Sequence, residues 1–179
     1  NAALNGQIDG VSLDDVRRLF TVDGQSDNGN IRFVIASSDT KETTTGYQVD
    51  IVQAAERARV SATNTLAATT VIDSSNNTLD ITVNGKQSST LTLNEGSYTR
   101  AELADHLESI INADSELAGR TVSVILNGDR LELVSETYGS NSQLSIGSGT
   151  ALASLGFSGT ESDTGLDVFG KFLVDGVEE

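Results

Sequence analysis

The chain has 179 residues, of which 37% are hydrophobic and 4% aromatic, and it contains no cysteine, proline, methionine or tryptophan. This length suits one ordinary domain or two small ones, and the lack of cysteine excludes disulfides and cysteine-ligated zinc. A formal net charge of −15 repels nucleic acid phosphates and anionic lipid surfaces, and no apolar run reaches the roughly 18 residues of a membrane span. We therefore expect no nucleic acid partner and no membrane insertion.

The two ends of the sequence look like cuts through a longer protein. The first six residues lack the charged and apolar parts of a signal peptide, and the chain stops soon after the turn signal Asp175-Gly176. A returning strand would be expected after that turn. We therefore interpret the chain as a fragment.

The N-terminal part is predicted to contain one short helix and two strands. The helix spans residues 12–20, because Ser12 is a suitable N-cap and the apolar side chains that follow share one helical face. A polar loop with glycines follows at residues 23–30, and strands are predicted at residues 31–35 and 47–53. The second strand alternates apolar and polar residues, which predicts a half-buried strand.

Residues 54–68 give conflicting local signals. The run Ala-Ala-Glu-Arg-Ala-Arg favours a helix, whereas the Val-Ser-Ala-Thr run that follows it favours an extended chain. We predict an extended segment. The polar cluster at residues 73–77 predicts a turn and an internal boundary.

The strongest local signals lie between residues 78 and 134. Asn84-Gly85 and Asn127-Gly128 each separate two alternating apolar runs, which predicts β-hairpins with type I′ turns, since both central residues of such a turn need a positive φ. The sequence therefore predicts one hairpin at each end of this region.

A helix is predicted between the two hairpins. Thr99 and Glu102 form a capping-box pattern at its start. The apolar residues that follow recur at helical spacing, so the helix is expected to lay one stripe on a sheet; they are Leu103, Leu107, Ile110 and Ile111.

A shorter helix is predicted at residues 151–155, with Gly156 as its C-cap. The predicted fold class is α+β, made mainly of antiparallel β-hairpins with one or two short helices packed on the sheets. We divide the chain into a β-rich part with one helix at residues 1–73, a ββαββ domain at residues 74–160, and a truncated strand returning to the first domain at residues 161–179.

No catalytic, cofactor-binding or metal-binding residue is predicted, and the chain is not expected to be an enzyme. His106 is the single histidine and lies beside the apolar stripe of the predicted helix, so we interpret it as a solvated histidine. No Gly-x-Ser-x-Gly or comparable signature accompanies it. A hydrolase is therefore not supported.

Two loops and one acidic pair have a simple structural interpretation. The loop at residues 23–30 carries two Asp and two Asn, but it lacks the spacing and the final Glu of an EF-hand, so a turn is favoured and calcium binding stays a hypothesis. Residues 145–151 contain glycines before a helix but no lysine for phosphate, which indicates a helix-entry loop. Asp14-Asp15 would complement the dipole of the N-terminal helix.

A resemblance to a known family is carried by residues 77–85, 91–99, 101–104 and 110–112, which contain both the first Asn-Gly turn and the capping box. These residues resemble the flagellin hook IN motif, which several bacterial flagellar axial proteins share. Residues 46–55 resemble a strand and Ala/Gln segment of the flagellar filament cap family, also called hook-associated protein 2. Residues 164–176 are similar to a pattern that follows the hook IN unit in longer members of that family.

The resemblance implies a head-domain fragment of a secreted structural protein of cell motility, located outside the cell at the tip of the bacterial flagellum. The full-length protein would be a homo-oligomer that caps the filament, contacts flagellin and other axial proteins, and promotes assembly of exported flagellin, without a cofactor. A hook-filament junction protein and a flagellin outer domain are alternatives, because they share the motif. A surface adhesin module for cell adhesion is a second alternative.

Overall fold

A computed structural model of the chain describes residues 7–8, 11–12, 26–29, 32, 45–174 and 177–178. The predicted α+β fold class is confirmed, since short antiparallel strands dominate and two helices accompany them. The strands are β1 Gln7–Ile8, β2 Val11–Ser12, β3 Tyr47–Gln53, β4 Arg59–Ser61, β5 Thr69–Ile72, β6 Thr78–Leu79, β7 Ile81–Val83, β8 Lys86–Gln87, β9 Leu91–Thr92, β10 Gly96–Thr99, β11 Val122–Asn127, β12 Arg130–Ser135, β13 Gln143–Ile146, β14 Ser162–Thr164, β15 Phe169–Val174 and β16 Val177–Glu178. The helices are α1 Arg100–Ala113 and α2 Leu152–Leu155.

The chain divides into two compact units. One is Val49–Lys171, and the other combines Asn1–Gln48 with Phe172–Glu179. In the second unit, β1 pairs with β2, and the C-terminal part of β15 pairs with β16. The division into residues 1–73, 74–160 and 161–179 that we predict from the sequence stays a prediction.

The unit Val49–Lys171 is built from small antiparallel sheets. One sheet has the order β11-β12-β4, a second has the order β14-β13-β7-β8, and the pairs β5-β10 and β6-β9 complete the set. A single core lies among them and helix α1. Its largest fully buried side chains are Ile72, Leu79, Ile81, Val83, Leu93, Leu103, Leu107, Ile111, Leu117, Leu131, Leu133 and Leu155.

The first predicted hairpin turn is confirmed in its details. Val83 pairs with Lys86, so Asn84 and Gly85 are the two central residues, with φ of 49° and 75°. Positive φ at both positions is the requirement of a type I′ turn. The returning strand is interrupted after β8, however, and Leu91 belongs to a separate strand that pairs with β6.

The second hairpin is present, but the predicted position of its turn is wrong by one residue. Asn127 pairs with Arg130, so the central residues are Gly128 and Asp129. Gly128 has a φ of 61°, and Asn127 and Asp129 have no positive φ. Glycine at the first central position, with the only positive φ of the pair, is the arrangement of a type II′ turn.

Helix α1 begins at the predicted capping box. The hydroxyl of Thr99 accepts a hydrogen bond from the backbone N–H of Glu102, and the carboxylate of Glu102 accepts one from the backbone N–H of Thr99. Leu103, Leu107 and Ile111 are buried, as the periodicity predicts. Neither helix in the described part of the chain is long and apolar enough to cross a membrane.

Two polar side chains of α1 bind the outer edge of β11. The amide of Asn112 donates to the carbonyl of Val122 at 2.8 Å and accepts from its N–H at 2.9 Å. The carboxylate of Glu108 accepts from the N–H of Val124 at 2.8 Å. Because an exposed strand edge invites pairing with other chains, these contacts protect the edge of the sheet.

The remaining sequence predictions have mixed outcomes. Residues 54–68 form no helix, and Arg59–Ser61 within them form β4, so the extended prediction is confirmed for those three residues. Gly156 ends α2 in the left-handed conformation with a φ of 80°, as predicted. Strand β3 is confirmed, but only Val49 in it is half-buried, so its predicted burial is wrong. Ser12, the predicted N-cap, lies in β2. The rest of the predicted helix at residues 12–20 and, apart from Arg32, the predicted strand at residues 31–35 lie outside the described residues.

Candidate functional site

His106 is half-buried on α1, and its interpretation as a solvated side chain is wrong. Its ring stacks on the ring of Tyr98, with 5.1 Å between centroids and 10° between planes. Its Nε2 accepts a hydrogen bond of 3.0 Å from the backbone N–H of Asn94, and the hydroxyl of Tyr98 donates to the carbonyl of Asn94. Burial lowers the pKa of His106, so the neutral ring holds the turn before β10.

The two loops considered as ligand sites have structural contacts. Of the loop at residues 23–30, the described part is exposed, and the hydroxyl of Ser26 and the backbone of Asn28 are hydrogen-bonded to each other. In the run at residues 145–151, Gly147 and Gly149 allow the backbone to lie directly against Asp80 and Thr78. The described residues hold no group of three or more acidic or histidine side chains placed to bind a metal ion.

Glu132 is buried, with 7% of the residue exposed, and its carboxylate connects β12 to its neighbours. It accepts hydrogen bonds from Asn127, Arg59 and Ser61 at 2.9 to 3.0 Å. The hydrogen bond from Asn127, together with those from Arg59 and Ser61, lowers the pKa of Glu132 against the opposing effect of burial. A buried charge with this many partners is a structural element of the sheet.

The carboxylate of Glu161 organises the turn before β14. Burial opposes its charge, but a hydrogen bond from Thr63 and hydrogen bonds from the backbone N–H groups of Ser158, Gly159 and Thr160 outweigh that effect. Together they lower the pKa of Glu161 to about 2. The side chain therefore stays ionised and binds its own turn.

Exposed apolar side chains are found on β3 and at the start of β15. Val52 is 65% exposed and Phe169 is 66% exposed, and Ile51 and Val168 are exposed as well. All four belong to the unit Val49–Lys171. Apolar side chains left exposed close together are a feature of contact surfaces.

A polar depression of about 440 Å³ is a feature that the sequence analysis missed. It lies where the Asn84 turn, the loop after α1 and the segment between β12 and β13 come together. Its lining is Asn84, Gly119, Arg120, Thr137, Asn141 and Gln143. No local motif marks these residues, because they come from three separate parts of the chain.

The described chain is thus an α+β protein whose perturbed acidic groups are held in structural hydrogen bonds. No protein-family profile and no curated protein sequence matches it. Among solved structures, it is similar to the D2-D3 domains of the flagellar cap protein FliD from Serratia marcescens in two crystal forms. Identity is 19% in both, the TM-scores are 0.46 and 0.48, and the match covers 74% of this chain and 75% of those chains.

A further similar structure is the D1-D2-D3 part of the flagellar cap protein FliD from Escherichia coli. The identity is 18% and the TM-score is 0.47. The match covers 74% of this chain and 41% of that one.

Proposed function

We propose that the chain is a head-domain part of a bacterial flagellar filament cap. In this proposal the full-length protein is a homo-oligomer outside the cell, at the filament tip, where it promotes the assembly of exported flagellin. It contacts flagellin and other axial proteins through its surface and performs no chemical step.

The observation that carries the proposal is the resemblance of residues 77–85, 91–99, 101–104 and 110–112 to the flagellin hook IN motif. The motif pattern contains an Asn-Gly turn after an alternating strand and a capped helix after the next strands. In this chain Asn84-Gly85 forms the turn between β7 and β8, and the Thr99–Glu102 capping box begins α1. The residues that resemble the motif therefore form the turn and the helix start that the motif pattern predicts.

The flanking segments support the choice of the cap family. Residues 46–55 and 164–176 carry the second part of the resemblance, and they contain β3 and β15. Gly170 of β15 lies directly against the backbone of Asp50 in β3, so these two distant segments are neighbours within the unit Val49–Lys171. The proximity of β3 and β15 is what we expect if residues 46–55 and 164–176 are two parts of one domain of the cap family.

A cap that advances after each added subunit needs contacts that are easily replaced. Large aromatic anchors such as tryptophan commonly dominate tight interfaces, and tryptophan is absent from this chain. A surface without tryptophan suits the small, short-lived contacts that the proposed role requires.

Deletion of the gene tests the proposal directly. The deletion strain should secrete monomeric flagellin and form no filaments, and a plasmid copy of the gene should restore them. Gold-labelled antibody in electron microscopy should then mark the filament tip of the complemented strain. Normal filaments in the deletion strain would contradict the proposal.

The labelling pattern separates the alternatives that share the motif. Label at the base of the filament would identify a hook-filament junction protein, and label along the whole length would identify a flagellin domain. Normal motility together with loss of surface adhesion would identify an adhesin module. Each of these results would replace the cap proposal.

A further inference from the structure

The polar depression contains Arg120, which has no side-chain partner among the described residues. Its lining residues are Asn84, Gly119, Arg120, Thr137, Asn141 and Gln143, and its volume of about 440 Å³ is within the range of small-molecule sites. Arg120 is half-buried, and its Nε is enclosed without a hydrogen-bond partner. Among the described residues no hydrogen bond or ion pair reaches its guanidinium group.

The other half-buried arginines of the described chain each have an acidic partner. Arg57 pairs with Glu136 at 3.1 Å, and Arg100 pairs with Asp129 at 2.8 Å. A half-buried guanidinium without a negative partner is costly, and carboxylates match its planar donor pattern well. Arg120 is therefore suited to bind an anionic ligand.

The side chains around Arg120 supply both fixed and free hydrogen-bonding groups. The amide of Asn84 donates to the hydroxyl of Thr137 at 2.9 Å and accepts from the N–H of Gln143 at 2.9 Å, which fixes the floor of the depression. The side-chain amides of Asn141 and Gln143 lie at the rim, are exposed, and have no partner in the described chain. Free amides next to a fixed floor suit a ligand with several hydroxyl groups.

We propose that this depression binds a small polyhydroxylated carboxylate, with Arg120 bound to the carboxylate and the amides of Asn141 and Gln143 bound to hydroxyl groups. The charge of the chain favours a ligand with a single negative charge. Arg120 can bind one carboxylate, whereas the net charge of −15 repels a polyanion. The lining has no large apolar side chain, so a ligand of mostly polar surface fits best. Sugar acids and open-chain hydroxy acids share this chemistry.

Titration calorimetry and NMR with the 179-residue chain test the proposal. Glucuronate represents the sugar acids and gluconate represents the open-chain hydroxy acids, while glucose and acetate each lack half of the required groups. Either acid should bind in the millimolar range or tighter, and glucose and acetate should bind at least about tenfold more weakly. The better of the two acids identifies the source of the ligand. Absence of binding by both acids would overturn the proposal.

Variants assign the binding to this depression. Arg120→Gln should weaken binding about tenfold or more. Arg130→Gln removes an exposed arginine of β12 that has no side-chain partner in the described part of the chain, and it should leave binding unchanged. If Arg120→Gln does not fold, Asn141→Asp is the second variant, because it adds a negative charge at the exposed rim and should also weaken binding. Unchanged binding in a folded variant of either kind would overturn the proposal.

Discussion

Asn84 and Gln143 hold each other by two hydrogen bonds across 59 positions of the sequence. The backbone N–H of Asn84 donates to the carbonyl of Gln143 at 2.8 Å, and the N–H of Gln143 donates to the side-chain oxygen of Asn84 at 2.9 Å. Asn84 is also the first central residue of the β7–β8 turn. One residue therefore shapes a local turn and fixes the start of β13.

Substitution of Asn84 separates these two roles. Asn84→Gly keeps the positive φ but removes the side-chain hydrogen bonds, so the free energy of unfolding should fall by about 1–3 kcal/mol. Asn84→Ala should lose about 1 kcal/mol more, because alanine is strained at this φ. Urea unfolding followed by circular dichroism measures both. Asn141→Ala, which removes an exposed amide that has no partner among the described residues, is the control. Equal midpoints for Asn84→Gly and the unchanged protein would refute the tertiary role.

Gly149 is required because two backbones touch at that position. A Cβ there would overlap the carbonyl oxygen of Thr78 and the Cα of Leu79, and its φ is 151°. Gly149→Ala should therefore lower the free energy of unfolding by about 3 kcal/mol or more. Gly119→Ala is the matched control, since Gly119 also has a positive φ but open space around its Cβ position, and it should cost about 1 kcal/mol. Equal thermal shifts in the two variants would contradict the close approach.

The lowered pKa of Glu161 predicts that the free energy of unfolding falls in acid. Its pKa is about 2 in the folded chain and 4.5 in the reference state, so its contribution is fully present above pH 4.5 and is lost as the pH falls toward 2. That contribution should be about 1–2 kcal/mol, less than the full shift implies, because solvent reaches the turn. Glu161→Gln should show a flatter dependence of stability on pH below 4.5. Glu95→Gln, which removes an exposed carboxylate, is the control, and an unchanged slope for Glu161→Gln would disprove the assignment.

The lowered pKa of His106 predicts a second, separate dependence of stability on pH. Its pKa lies below 6.5 in the folded chain, so the unfolded chain binds the proton first and stability should fall as the pH drops below about 6.5. His106 is the single histidine, which makes this window easy to assign. His106→Phe keeps a ring next to Tyr98 and should abolish the dependence between pH 5 and 7, while its stability at pH 7 is lower because the N–H of Asn94 loses its acceptor. Chemical unfolding at several pH values measures the slope, and a slope retained in His106→Phe would rule out this origin.

The sequence by itself determined the features that depend on local geometry. The Asn84-Gly85 turn, the Thr99–Glu102 capping box and the left-handed Gly156 all follow from backbone preferences and from partners within a few residues. The apolar stripe of α1 was also predictable, because helical spacing reveals which side chains share a face. The fold class followed from these elements.

Only the tertiary structure decided which distant residues meet. Arg120, Thr137 and Gln143 lie in separate segments, and they line one depression because the strands pair across long sequence separations. The same holds for His106, whose acceptor role depends on the loop at Asn94, and for β3, whose apolar side chains remain exposed despite a half-buried pattern. The second turn lies one residue later than the Asn-Gly pair predicts, because the pairing of Asn127 with Arg130 between β11 and β12 sets its position. Periodicity reports which face of an element is apolar, but the partner of that face depends on the packing of the whole chain.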